Sequence, residues 1–297
     1  MAEPRIERIE DAEQLLGSAG YVSDRDIATA LYLAIRLQRP LLVEGYAGVG
    51  KTEIAKVLAE ALGTELVRLQ CYEGLDASAA LYEWNYAKQI LRIRMEEQSE
   101  RGADSTESLI FSEPYLLERP ILAALRRETS PVLLIDEVDR ADEEFEAFLL
   151  EILSEYQVTI PELGTVRAKA PPYVVLTSNR VRELGDALRR RCLYLWIDYP
   201  SLAKETRIVR AKVPAASDAL AQQICRFTEA LREMDLDKRP GVAESLDWAL
   251  ALVELHQDHL EPEMVRATLG CMAKTRRDTE RIQAALPDLL ARAAGSA

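Results

Sequence analysis

Residues 41–63 read LLVEGYAGVGKTEIAKVLAEALG, and this stretch decides the fold. An apolar run enters a loop that carries Gly45, Gly48, Gly50 and Lys51. The chain then leaves in a helical pattern: Ile54, Ala55, Leu58, Ala61 and Leu62 fall on one helix face, and Gly63 stands where a helix ends in the left-handed conformation. GYAGVGKT matches G-x-x-x-x-G-K-[ST] at Gly45, Gly50, Lys51 and Thr52. The strand before it and the helix after it are the context this pattern demands. Glycines let backbone N–H groups curl round phosphates, and the helix N-terminus adds partial positive charge. Nucleotide binding is therefore expected at Gly45, Tyr46, Ala47, Gly48, Val49, Gly50, Lys51, Thr52 and Glu53, with Lys51 reaching the β- and γ-phosphates of ATP and the Thr52 hydroxyl binding Mg²⁺.

Other short apolar runs continue the theme: ELVRLQ from Glu65, VLLIDE after Pro131, YVVLTSN from Tyr173 and CLYLWID from Cys192. Such runs read as parallel strands covered by helices on both faces. Helical patterns lie between them, one carrying Phe145, Phe148, Leu149, Ile152 and Leu153, so the fold class is α/β with a five-stranded parallel sheet. The polar stretch RMEEQSERGADSTES, residues 94–108, reads as an exposed loop, and QVTIPELGTVRA, residues 157–168, as a β-hairpin. Beyond Pro200 the strand signals stop. Leu220, Ile224, Phe227 and Leu231 share a helix face, and Pro262 suits a first helical turn. The expected organisation is a nucleotide-binding domain over 1–200, with an insert near 71–120 and the hairpin, then an all-helical lid domain over 201–297.

Composition narrows the function. The 297 residues carry a formal net charge of -13, which argues against a general nucleic-acid binder, since phosphate-backbone affinity comes from clustered Lys and Arg. The charged start MAEPRIERIEDAEQ lacks the apolar core of a signal peptide, and no run approaches a membrane span, so a cytoplasmic location is expected. Cys71, Cys192, Cys225 and Cys271 are far apart and read as unpaired thiols.

Two carboxylates, Asp136 and Glu137, end the strand in VLLIDEVDRA, where an open α/β sheet places its ligand crevice. Asp136 would hold hydrated Mg²⁺ and Glu137 would polarise an attacking water, a pairing that favours an ATPase over a small-molecule kinase. Asn179 ends the next strand, YVVLTSNR, where it could position the same water. Arg189, Arg190 and Arg191 precede the last strand, and at least one is expected to act as an arginine finger toward a neighbouring subunit.

These motifs, in this order and followed by a helical segment, resemble those of an AAA+ ATPase. The hairpin before Asn179 and the insert near 71–120 look like the helix-two-insert clade, and DEVDRA resembles the MoxR signature. CYEGLDASAALYEWNY, SEYQVTIPELGTVRA and RRRCLYLWIDYP look like the CoxD branch. The resemblance implies a ring, commonly hexameric, in which ATP hydrolysis remodels or matures a client protein. It further implies a partner with a von Willebrand factor A domain and a role in maturing the molybdenum-copper centre of carbon monoxide dehydrogenase. The family's finger aligns with Arg191, then with Arg190. The lid position that commonly holds a sensor Arg aligns with Ala243, leaving Arg239 to stand in from the preceding loop. Two other readings stay open: a nucleotide-dependent binding switch with little turnover, and a DNA-associated motor.

Among remaining features, Trp84 and Tyr86, with Tyr72 and Tyr82, form an aromatic cluster that reads first as core packing and second as a client grip. His256 and His259 read as a solvated helix face rather than a metal site, and Tyr21 and Val22 precede the first helix, where the resemblance to AAA+ proteins implies contact with adenine.

Overall fold

The computed structural model describes residues 6–96 and 109–295. These fall into two compact units. One comprises the residues up to Leu15, Arg25–Glu44 and Thr52–Leu195; the other comprises Leu16–Asp24, Gly45–Lys51 and the residues from Trp196 onward.

The first unit is built on the apolar runs. They form β1 (Leu41–Gly45), β2 (Leu66–Gln70), β5 (Val132–Asp136), β8 (Tyr173–Ser178) and β9 (Leu193–Ile197), in the sheet order β2-β5-β8-β1-β9. The pairings β2 with β5, β5 with β8 and β8 with β1 are parallel. The register places Gln70 opposite Asp136, and Glu44 opposite Ser178, so several polar residues meet at the carboxyl end of the sheet. Central β1 and β5 are buried along their whole length, as continuous apolar runs require. Edge strand β2 alternates instead, with Val67 and Leu69 buried and Arg68 and Gln70 exposed.

Local signals fix the helices around this sheet. Helix Lys51–Leu62 stops at Gly63, whose φ of 62° is the left-handed cap that its sequence position suggests. Helix Glu143–Glu155 starts at Asp142, whose carboxylate accepts the Phe145 N–H at 2.8 Å. It buries Phe145, Leu149, Ile152 and Leu153 in the same apolar core as Leu133, Ile135 and Leu176, each side chain contributing about 1.5–3 kcal/mol.

Residues 157–168 fold as β6 (Gln157–Ile160) and β7 (Gly164–Arg167), antiparallel with Val158 opposite Val166. A second small sheet pairs β3 (Tyr82–Trp84) with β4 (Leu116–Glu118). Here the aromatic cluster splits: Trp84 packs in the core, edge-on to Tyr82 and Phe111, while Tyr86 and Tyr72 are exposed. The polar stretch 94–108 lies outside the described residues from 97 onward, and its first three positions close the helix Tyr86–Glu96 rather than open a loop.

In the second unit, no described residue after Ile197 lies in a strand. Helices Leu202–Lys212, Asp218–Glu233, Val242–Glu254, Pro262–Thr268, Arg276–Ala284 and Leu286–Ala294 surround Phe227 and Trp248, whose ring centroids lie 5.1 Å apart. Ser201, Ser217 and Thr275 cap three of them through side-chain oxygens. A polar knot is buried in this core. Arg232 grips Glu205 with two bonds, of 2.6 and 2.7 Å, and Ser245 donates to the same carboxylate at 2.7 Å.

Candidate nucleotide site

The loop Gly45–Lys51 is held through its own unit. Lys51 Nζ donates to the carbonyls of Gly45 at 2.9 Å and Tyr46 at 2.5 Å, which ties the ammonium to the start of the loop. The Tyr46 ring stacks on Tyr199 with centroids 4.5 Å apart and an interplanar angle of 6°, and meets Trp196 edge-on at 5.7 Å. Gly48 adopts φ 73°, and its carbonyl accepts the Ala243 N–H at 3.1 Å. A Cβ on Gly241 would stand 2.7 Å from the Ala47 carbonyl oxygen and 2.8 Å from Gly48, so only glycine fits there. Ala243, at the aligned sensor position, therefore meets the loop through its backbone. Arg239 is exposed.

The carboxylate end of the sheet is held within the first unit. Thr52, the residue after Lys51, donates its hydroxyl to Asp136 Oδ1 at 3.0 Å. Thr177 Oγ1, at the end of β8, donates to the same oxygen at 2.5 Å and accepts the Glu137 N–H at 2.9 Å. The fold thus brings Thr52, Asp136 and Glu137 together, and Asn179 with them: its Nδ2 donates to Glu137 Oε1 at 3.2 Å. Glu137 itself takes left-handed dihedrals, φ 56° and ψ 48°, as does Arg180, φ 58°, immediately after Asn179. Non-glycine residues in that region cost about 1–3 kcal/mol and cluster where geometry serves a site.

Five supporting residues escaped the sequence reading. Arg68 Nη2 donates to Asp136 Oδ2 at 2.6 Å, and Gln70 Nε2 donates to Glu137 Oε2 at 3.0 Å. Arg140 pairs with the same Glu137 oxygen at 2.9 Å, and Thr177 bridges both carboxylate residues. Asp139, buried at the end of the DEVD motif, accepts the backbone N–H groups of Asn179 at 3.1 Å and Val181 at 2.7 Å, which fixes the loop that aims Asn179. A second aspartate in DEVDRA was a visible signal for Asp139; Arg68 and Gln70, two apart on ELVRLQ, share one strand face, but what that face meets depends on how β2 pairs. The density of negative charge is registered by Cys71, whose thiol is pushed up to about 12 by burial and then by Asp136, Asp139 and Glu137.

The donor set suits a hydrated divalent cation, a threonine hydroxyl beside a buried aspartate, although a cationic side chain, Arg68, stands on that aspartate here. Among the described residues, no cluster of three His, Cys, Asp or Glu side chains forms a metal cage, and His259 pairs with Glu261.

The arginine run separates. Arg189 faces Glu44 at 3.4 Å and lies over the Tyr194 ring at 5.7 Å. Arg191 donates to the Leu150 carbonyl at 2.5 Å, and the Arg190 side chain is exposed. None of these contacts joins the cluster round Glu137.

A domain model described as AAA domain (dynein-related subfamily) matches residues 40–192, and the chain belongs to this family. An uncharacterized protein of Staphylococcus haemolyticus is 26% identical over 239 residues, spanning 78% of this chain and 82% of its own. Another, from Staphylococcus saprophyticus, is 23% identical over 247 residues, or 81% and 86%. Among solved structures, the RuvB Holliday junction branch migration motor of Thermotoga maritima is 16% identical, covering 93% of this chain and 69% of that one at a TM-score of 0.43. No described helix is long and apolar enough to cross a membrane.

Proposed function

We propose that the chain is a Mg²⁺-dependent ATPase that uses hydrolysis to remodel or mature a client protein, as a member of the MoxR group and its CoxD-like branch. The observation that carries the reading is the arrangement of Glu137 and Asn179 beside Asp136 and Thr52, with Asn179 Nδ2 3.2 Å from Glu137 Oε1 and Thr52 Oγ1 3.0 Å from Asp136 Oδ1. Backbone N–H groups of Gly45–Lys51 and the Lys51 ammonium bind the phosphate chain. Thr52 and, through water, Asp136 would hold Mg²⁺, which would supply positive charge against the phosphate oxygens. Glu137 accepts a proton from the attacking water as the water oxygen bonds to the γ-phosphorus, the bond from that phosphorus to its bridging oxygen breaks, and the electron pair leaves with ADP. Asn179 orients Glu137 and that water.

Arg191, with Arg190 beside it, is assigned to the γ-phosphate of a neighbouring subunit, and Arg239 to sensing that phosphate. A ring, commonly of six subunits, a von Willebrand factor A partner, carbon monoxide dehydrogenase maturation, a cytoplasmic location and a lid spanning 201–297 belong to the same proposal and rest on the resemblance. Glu137→Gln tests the chemistry: ATP binding should persist while turnover falls about 10²–10⁴-fold. Unchanged turnover would overturn the assignment of Glu137 as the base, and negligible turnover in the parent would leave the chain a nucleotide-dependent switch.

A further inference from the structure

Asp136 is an almost fully buried carboxylate, its side chain 4% exposed, and a buried charge demands a counter-charge. Its Oδ1 receives two hydroxyls, Thr52 and Thr177, which are neutral. Positive charge reaches it from Arg68, on Oδ2 at 2.6 Å. Arg68 comes from edge strand β2, and its side chain is half exposed, so it approaches the carboxylate from the solvent side. We infer that Arg68 is a placeholder cation: it neutralises Asp136 when the metal is away and yields that place to Mg²⁺. The inference rests on the nucleotide-site reading above.

Two consequences follow from charge and connectivity. A divalent ion held beside Asp136 repels a guanidinium at hydrogen-bond distance from the same carboxylate, and the exposed Arg68 stem gives that group room to swing into water. Arg68 Nη2 also donates to Gln70 Oε1 at 2.6 Å, and Gln70 Nε2 donates to Glu137 Oε2 at 3.0 Å. The chain Asp136–Arg68–Gln70–Glu137 therefore links the metal-binding carboxylate to the water-activating one. Withdrawal of Arg68 removes the group that fixes the Gln70 amide, and loosens the hold of Gln70 on Glu137. In the metal-free state Glu137 is restrained by Gln70 as well as by Arg140 and Asn179. Metal arrival relieves one of these restraints at the moment the base is needed.

The test is equilibrium binding of a fluorescent ADP to the full chain, in EDTA and across a Mg²⁺ titration, for the parent, Arg68→Ala, Arg68→Lys and Gln70→Ala. Removing the competitor should lower the half-saturating Mg²⁺ by about tenfold in Arg68→Ala, within the ordinary range of coupling between two ligands. Arg68→Lys, which keeps the charge but loses the fork, should move the same way by less, and it carries the test should Arg68→Ala fail to fold. Gln70→Ala, which removes the acceptor that steadies Arg68 but leaves the Arg68 charge able to reach Asp136, should lower it by less than Arg68→Ala. An unchanged or raised half-saturating Mg²⁺ in both Arg68 variants overturns the placeholder, as does an equal shift in Gln70→Ala, which would report loosening of β2 as a whole. A parent chain that binds ADP equally well in EDTA and in Mg²⁺ would instead overturn the metal-site reading, and this inference with it.

Discussion

Each unit contains an arginine on a buried carboxylate, and the two pairs are built for opposite ends. In the helical unit Arg232 and Glu205 are both buried, 9% and 1% exposed, joined by two bonds and buttressed by Ser245, Thr228 and the Tyr199 ring 4.6 Å from the guanidinium. Beside the sheet, Arg68 makes one bond to Asp136 and is half exposed. The first pair is engaged from within the protein and has nowhere to move. The second leaves a carboxylate satisfied by groups that can be replaced. Buried ion pairs are expensive to break and easy to mistake for function; exposure of one partner is what separates a lock from an exchangeable contact.

That contrast can be broken at several points. Removing one member of the locked pair should cost most: Glu205→Ala leaves the Arg232 charge uncompensated and should lower unfolding stability by about 3–5 kcal/mol in urea titrations. The hydroxyl that ties Asp136 to the Glu137 backbone comes next. Thr177→Val removes a buried donor from Asp136 Oδ1 and an acceptor from the Glu137 N–H, and should cost about 1–3 kcal/mol on the same measurement. Arg68→Ala should cost no more than that in metal-free buffer, about 1–3 kcal/mol, since Asp136 keeps its two hydroxyl donors and water can reach the vacated place from the exposed side of β2. A loss as large as that of Glu205→Ala would erase the distinction between the two pairs.

Each region also carries a buried thiol that reports its opening. Cys71 lies beside the Asp136 cluster, and Cys225 is pushed up to about 12 by burial and then by Glu205. At pH 8 roughly 10⁻⁴ of either is thiolate, so both should resist iodoacetamide in the native chain, with rates rising about tenfold from pH 8 to pH 9. Glu205→Ala should speed alkylation of Cys225 and leave Cys71 slow; equal acceleration at both would mean that the two regions open together.

The sequence was most legible where one signal answers to one cause. A glycine-rich loop between strand and helix, a carboxylate pair ending an apolar strand, and Gly63 at φ 62° each follow from local chemistry. Legibility failed at β2. ELVRLQ reads as a strand covered on both faces, yet Arg68 and Gln70 alternate with buried Val67 and Leu69, the signature of an edge strand with one wet face. Their role depends on the register of β2 against β5, which no local pattern encodes. The left-handed backbone of Glu137 was equally hidden, because the surrounding fold imposes it on a residue that does not favour it. The arginine run is undecided by sequence for a different reason: three adjacent arginines look alike until one is seen facing Glu44 and another bonded to Leu150.

The stacking of Tyr46 on Tyr199, with Trp196 at its edge, gives the loop Gly45–Lys51 an optical reporter of its own. Indole emission responds to the polarity and packing of its immediate neighbours, and Trp196 is one of only three tryptophans in the chain. Trp84 is packed in the core of the first unit and Trp248 donates its indole N–H to Thr268 inside the helical core, so both are shielded from events at the loop. Movement of residues 45–51 would therefore be readable in unlabelled protein, as a change in the fluorescence of a single indole.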